Sequence, residues 1–411
     1  MNHPITPATR RRNAGFSLIE LLVAMVIALV VTLAITSVLM RTEGTKRSTS
    51  SVNDLNQTGA YAAFVLDRVA RSAGAGFSQR WRDTYGCRIA AARSGTAVLP
   101  LPAAFPATSA FVNVPQTLRL APLLIGKGMA DAGGAVRGDV LMVMGSTAAF
   151  GGSPQSVKPT SVTTADLRLP NTLGYRTDDI ILLADAAVAG GCMIQQTRFT
   201  VAAPPGAIFA PDSPKPGGST DELMPLAGTY YKAAATGVAL TDFGGSSVVV
   251  QMGNAVDNPP QMHLYGVGAN STLMSYDLLQ PPATAEVPLA DGVVEMRALY
   301  GVDTTLVPDG TLDAWIDPVA GSGYEAIVLM NGSAASQLLM RRIVAVRLGF
   351  VLRTSLPEKD YATPAGSVSL FGDLGTGLKQ THTVPASEQN YRHRTAEITI
   401  PMRNVLMAAP K

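Results

Sequence analysis

Residues 10–40 read RRRNAGFSLIELLVAMVIALVVTLAITSVLM: three arginines, a short polar bridge, then an apolar run from Leu18 to Met40 carrying a single carboxylate, Glu20. About 23 apolar residues at a 1.5 Å rise make a helix of roughly 35 Å, long enough to cross a bilayer. A secretory signal peptide needs an apolar core of only about 7–15 residues followed by an A-x-A-like cleavage site. This run is longer, and no such site follows cleanly. Arg10, Arg11 and Arg12 precede it with no acidic residue in the same leader, so the positive-inside rule holds the N-terminus in the cytoplasm and sends the chain from Arg41 onward outside. A plain signal anchor satisfies these facts but leaves Glu20 unexplained. A carboxylate at the centre of a span costs roughly 2.5–3.5 kcal/mol on insertion scales, less near an interface, and usually has a partner.

Composition bounds the rest of the chain. In 411 residues, 47% are hydrophobic and 15% charged, yet no second run reaches spanning length, so one membrane segment is expected. Lys plus Arg (32) nearly balances Asp plus Glu (30), which argues against a nucleic-acid-binding protein. Thirty-nine glycines and twenty-eight prolines call for many turns and a β-rich body.

A helical period continues past the span. Val52, Leu55, Gly59, Ala62, Leu66, Val69 and Ala73 recur at alternating spacings of three and four, with Asp54, Asp67, Arg68 and Arg71 off that stripe. The pattern predicts one helix from about Phe16 to Ser72, its first half apolar all round and its second half amphipathic. Gly44 is its expected weak point, since glycine inside a helix costs about 1 kcal/mol relative to alanine. Beyond Ala73 short apolar runs alternate with turn signals. Expected strands are 117–120, 139–144, 179–183, 198–201, 248–252, 261–265, 273–278, 293–300, 343–352 and 395–401. Val344, Val346, Leu348, Phe350 and Leu352 should share one strand face, as should Ala396, Ile398 and Ile400. The proline-rich stretches at 100–115 and 203–218 read as loops, the second as a possible boundary between two lobes.

The segment Gly15-Phe16-Ser17-Leu18-Ile19-Glu20 resembles the processing site of type IV pilins and pseudopilins. The resemblance implies cleavage between Gly15 and Phe16 by a prepilin peptidase, N-methylation of Phe16, and a role for Glu20 in subunit assembly through the N-terminal amine of a neighbouring subunit. Cutting ahead of the span creates that amine while keeping the helix, and a carboxylate and an ammonium attract strongly at low dielectric. Loss of residues 1–15 also removes Arg10–Arg12 and shifts the formal charge from +2 to −1. Further on, LADGVVEMRALYGVDT (289–304), MRRIVAVRLGFVLRT (340–354) and RTAEITIPMRN (394–404) resemble the closing strands of PilW-type minor pilins, and AAFVLDRVARSAGAGF (62–77) resembles their helix exit.

The resemblance therefore implies an α+β, pilin-like fold, with a long N-terminal helix packed on a β-sheet-rich body. Its expected divisions are a leader 1–15, a transmembrane or filament-core helix 16–40, an amphipathic continuation 41–75, and a body 76–411. It implies an inner-membrane subunit with a periplasmic body, later part of a pilus tip that supports twitching motility and adhesion. Implied partners are the prepilin peptidase, other minor pilins and the major pilin, the inner-membrane assembly platform and a PilY-type tip adhesin, with no cofactor. A J-type minor pseudopilin of type II secretion, and a single-pass anchored enzyme or receptor, remain open alternatives.

Cys87 and Cys192 fall on the outer side of the predicted membrane, where a disulfide persists. Two cysteines permit one bridge, contributing on the order of 4–5 kcal/mol in the chain-entropy model. No G-x-S-x-G, P-loop, H-E-x-x-H or complete G-x-G-x-x-G occurs. Of the histidines, His3 leaves with the leader, and His263, His382 and His393 are far apart in sequence, so no histidine metal cluster is expected. Asp303, Asp309 and Asp313 lie about the PDGTLD turn (308–313), but their spacing departs from the calcium loop D-x-[DN]-x-[DN]-G-x5-E. A plain turn is expected there, with those three carboxylates kept as the calcium candidate.

Overall fold

A computed structural model of the chain describes residues 15, 17–131, 136–148, 153–185, 188, 191–199, 222–235, 237–281, 284–358, 361, 363 and 366–407. The expected leader side chains Arg10–Arg12, the methylation site Phe16, residues 200–201 of an expected strand and the boundary near 203–218 lie outside these residues. The chain divides into two compact units, 1–53 and 54–411.

One helix, α1 (Leu18–Ser72), runs for 55 residues, about 80 Å at the α-helical rise. It passes through Gly44 without a break, contrary to the expected weak point. A single glycine penalty is small beside the cooperative hydrogen bonding of so long a helix.

From Asp54 onward the helix belongs to the body, and its stripe is buried at Leu55, Gly59, Ala62, Leu66, Ala70 and Ala73. Four of these six are glycine or alanine, so the helix axis can come close to the surface beneath. A Cβ at Gly59 would stand 2.5 Å from Leu352 Cδ1 and 3.7 Å from the Ala396 side chain, which only a bare backbone tolerates. Opposite the stripe, Asp67 and Arg71 pair at 2.7 Å in the favourable i,i+4 order. The helix ends where Gly74 adopts a left-handed φ of +76° and donates its amide to the Met144 carbonyl at 2.8 Å.

Beneath α1 lies a nine-stranded sheet. Its main order is Val287–Asp291, Thr272–Asp277, Gln261–Gly268, Val136–Gly145, Val293–Val302, Ile343–Arg353 and His393–Pro401; Leu123–Asp131 pairs with Val136–Gly145, and Ala314–Ile316 with Val293–Val302. The helix crosses it obliquely. Arg394 on the outer strand donates to Asn56 near the start of the docked half, and Ser72 at the end bonds Gln261. A six-stranded sheet is ordered Thr96–Leu99, Ile89–Arg93, Cys192–Gln196, Asp179–Ala184, Val248–Asn254 and Gln155–Ser156. Leu66, Val346 and Phe350 join Ile180, Ile194 and Val248 in one hydrophobic cluster, so both sheets share a core.

Most late strands appear where the sequence places them, with ends shifted by up to three residues. Three expectations change. Residues 117–120 form only the isolated bridge Arg88–Arg119, because Pro115 and Pro122 on either side remove the amide donors a ladder needs. Of the strand expected at 198–201, the described residues Arg198 and Phe199 lie outside any strand, while the preceding Cys192–Gln196 form one that pairs with Asp179–Ala184. The clean alternation expected along 343–352 is lost because the second face is also covered. The hairpin of Ser367–Leu370 and Gln380–Thr383 brings Leu370, with Phe371 beside it, onto Val294, Leu299 and Val351. Several strands were not expected at all, among them Ile89–Arg93 and Thr96–Leu99, rich in alanine and small residues, Leu123–Asp131, broken by two glycines, and the hairpin strands Ser367–Leu370 and Gln380–Thr383.

Candidate assembly interface

From Leu18 to Arg47 every residue of α1 is exposed. Ser17 opens α1: its carbonyl accepts from the amides of Glu20 and Leu21 at 3.1 Å, and its hydroxyl accepts from Glu20 N at 3.2 Å. Glu20 therefore sits in the first turn, where the exposed amides favour a negative charge. Its carboxylate is exposed and makes no ion pair among the described residues. Gly15, just ahead, has open space where a Cβ would lie.

From Leu18 to Met40 every apolar side chain is exposed: Leu18 is 78% exposed, Leu29 70% and Met40 75%. The most apolar 18-residue window of α1 has a mean hydropathy of 2.9 and none of it is buried. Such a surface requires lipid or other apolar helices around it. The few hydroxyls along it are already served. Thr32 Oγ1 donates to the Ala28 carbonyl at 2.7 Å, Thr36 to Thr32 at 3.0 Å, Ser37 to Ala34 at 2.8 Å and Thr42 to Val38 at 2.8 Å.

In the body, a disulfide joins Cys87 and Cys192, whose Cα atoms are 5.6 Å apart. It lies beside the parallel pairing of Ile89 with Cys192, linking two neighbouring strands of the six-stranded sheet. Asp303, Asp309 and Asp313 serve a turn. Asp303 accepts from the Thr305 amide at 3.0 Å, the Gly310 amide at 2.7 Å and the Thr305 hydroxyl. Burial acts to raise its pKa, but the Thr305 hydroxyl and these amides outweigh that and hold it below the usual carboxylate value. Asp309 accepts from Thr311 N, and Asp313 from Thr304 N at 2.7 Å. Oxygens so committed do not converge, and no group of three metal-ligating side chains occurs among the described residues.

Two clusters were not legible from the sequence. Asp139, fully buried, accepts from the amides of Gly128 and Ala298 at 2.9 and 2.8 Å and faces Lys127 and Arg297, each at 3.5 Å. Burial raises its pKa in spite of those neighbours. Beside it, Glu295 bonds Arg297 and His382. Burial acts to raise the Glu295 pKa, but His382 and Arg297 more than offset this and hold it low. His382 and His393, far apart in sequence, come within 6.4 Å between ring centroids. They meet because the 367–383 hairpin folds over the strand beginning at His393, a contact that no local motif announces.

Two family models match the chain. Residues 10–40 match the prokaryotic N-terminal methylation motif, and residues 264–404 match the family described as Type IV Pilus-assembly protein W. Over these two stretches the chain is similar to type IV pilins of the PilW type. The PilW-type match takes in the strands from Thr272 to Pro401, together with the Asp303 turn, and stops within the helix Arg403–Met407. PilW-type pilins are structural subunits, and the family implies other pilins as partners and processing by a prepilin peptidase. Among solved structures, a type IV-like pilin from Thermus thermophilus aligns over 57% of this chain and 89% of its own length at 11% identity. Its TM-score of 0.21 is too low to define a shared fold. No curated protein gives a significant match.

Proposed function

We propose that this protein is a minor pilin that primes assembly of a type IV pilus and occupies its tip complex, supporting twitching motility and adhesion. Before assembly it is held in the inner membrane by residues 16–40, with Arg10–Arg12 keeping the leader in the cytoplasm and the body in the periplasm. A prepilin peptidase removes residues 1–15 after Gly15, and Phe16 is methylated. The freed helix then enters a bundle with companion pilins, where Glu20 meets an N-terminal amine. A PilY-type adhesin is the tip partner that the family suggests.

The observation that carries this reading is the G-F-S-L-I-E segment at the head of a wholly uncovered apolar helix with a single carboxylate in its first turn. Lipid would cover the apolar side chains alone, but a charged carboxylate calls for a cation, and cleavage ahead of the helix creates one. Intact mass and N-terminal sequencing of the protein from cells with an active prepilin peptidase should give a chain starting at methylated Phe16. A retained Met1, or a cut beyond Ala34, would refute the reading. Replacing Gly15 should trap the precursor. Glu20→Ala should leave processing intact yet impair incorporation into filaments, and normal incorporation would remove the role given to that carboxylate.

A further inference from the structure

The end of the body at which α1 terminates gathers features of a contact surface. Asn404 of the helix Arg403–Met407 donates to the carbonyls of Arg71 and Ala73, tying that helix to the end of α1. Beside it runs the loop 303–313, whose Gly310 lies against Leu406. At the loop tip Leu306 is 93% and Val307 70% exposed, and Met407 close by is 71% exposed.

These apolar side chains are displayed on a fixed backbone. Asp303 holds Thr305 and Gly310, and Asp313 holds Thr304. Arg342 donates to the carbonyls of Asp303 at 3.0 Å and Leu306 at 3.2 Å. An ordered loop carrying bare apolar tips loses little conformational entropy on binding.

Next to the loop, Arg82 and Arg341 each place a guanidinium 5.1 Å from the centre of the Trp81 ring. Neither makes an ion pair among the described residues; Arg82 is exposed, and Arg341 is half-buried, with Nε and Nη2 covered and without a hydrogen-bond acceptor. The nearby Arg80 is paired with Asp83. Tryptophan, arginine, methionine and exposed aliphatic groups on one rigid face is the composition of binding hot spots.

We propose that this end face is a docking surface for a partner protein presenting an apolar groove with an acidic rim. The groove takes Leu306, Val307 and Met407, and rim carboxylates pair with Arg82 and Arg341. The aliphatic tips do not suit a nucleic acid, which would reward aromatic stacking and phosphate contacts. A second copy meeting through the same face would set arginine against arginine. The face itself does not depend on the minor-pilin reading; only the expectation that the partner travels with a filament rests on it.

The test places the photo-crosslinker p-benzoylphenylalanine at position 407 of the full-length protein in its own cells. The expected result is one protein adduct, identified by mass spectrometry. Its yield should fall at least tenfold in Leu306→Asp/Val307→Asp and again in Arg82→Glu/Arg341→Glu, and should return in the second background when the partner's acidic rim residues are changed to lysine. The apolar positions are exposed enough that the first variant should keep the wild-type unfolding midpoint, separating lost docking from lost folding. An adduct to another copy of this chain, to nucleic acid or to lipid alone would overturn the proposal, as would an adduct unaffected by the arginine changes. So would the absence of any adduct from protein that is processed and present in filaments. Conversely, a rim-dependent adduct on a chain never cleaved at Gly15 would uphold the docking face and refute the minor-pilin reading.

Discussion

Gly59→Ala sets helix propensity against packing in one substitution. In an isolated helix, alanine for glycine gains about 1 kcal/mol. Here the new Cβ would stand 2.5 Å from Leu352 Cδ1, whereas carbon atoms in contact prefer about 3.5–4.0 Å. Something must therefore move by roughly 1 Å. Leu352 is 2% exposed and sits in the core shared by helix and sheet, so it has little room to yield. Inserting a methyl into a packed core costs about 1–3 kcal/mol. Packing should win, leaving a net loss of about 1 kcal/mol.

Urea unfolding of the full-length protein in mild detergent, followed by tryptophan fluorescence, reads this directly, because both tryptophans, Trp81 and Trp315, lie in the body. Leu352→Val should make room, so that Gly59→Ala costs less in that background, with a coupling of about 0.5–1 kcal/mol. Gly44→Ala is the contrast: a Cβ there meets nothing within 4 Å, and the body's unfolding should not change. If Gly59→Ala stabilises the body by the full helix-propensity gain, the close approach of α1 to the sheet is not what holds that position to glycine.

Leu66→Ala, at a fully buried position of the same stripe, should destabilise the body by about 3–5 kcal/mol in the same assay. Replacing Cys87 and Cys192 together by alanine opens a crosslink between residues 105 apart and should lower stability by on the order of 2–5 kcal/mol; an equal midpoint for the oxidised wild type and the double variant would show the bridge to be energetically idle. His393 predicts a pH dependence. Burial lowers its pKa below 6.5, so the unfolded chain takes up a proton before the native one does, and stability should fall as pH drops from 6.5 toward the folded value. The slope should not exceed about 1.4 kcal/mol per pH unit, and His393→Asn should flatten it. Glu295, whose pKa is held below 4.5, loses its contribution only in more acid solution, so the two effects separate along the pH axis.

What the sequence disclosed divides along physical lines. The helix was legible because its signals are local and repeated: a span of apolar residues, then a stripe at helical spacing from Leu55 to Ala73. The later strands were legible for the same reason, since Val346 or Ile400 carry β-branched bulk between turn residues. Ile89–Arg93 was not, because its AAAR run has little strand propensity and is held by parallel pairing to Cys192 and Met193, a hundred residues on. Alternation failed along 343–352 because a hairpin from 367–383 covers the second face, and no window of a dozen residues contains both. The segment from Gly15 to Glu20, inside the stretch that matches the N-terminal methylation motif, was legible without any tertiary information. The end face of Trp81, Leu306, Arg341 and Met407 draws on four separate stretches and exists only once α1 has ended and the chain has closed around it.

The hydroxyls of Thr32, Thr36, Ser37 and Thr42 bear on reversibility. Each is bound within its own helix turn, so moving the segment from hydrocarbon to a packed bundle exchanges no hydrogen bond along that stretch. The two surroundings then differ for those residues only in side-chain packing. A segment of that kind can be drawn out of one environment and handed back to it with no polar barrier of its own along those residues.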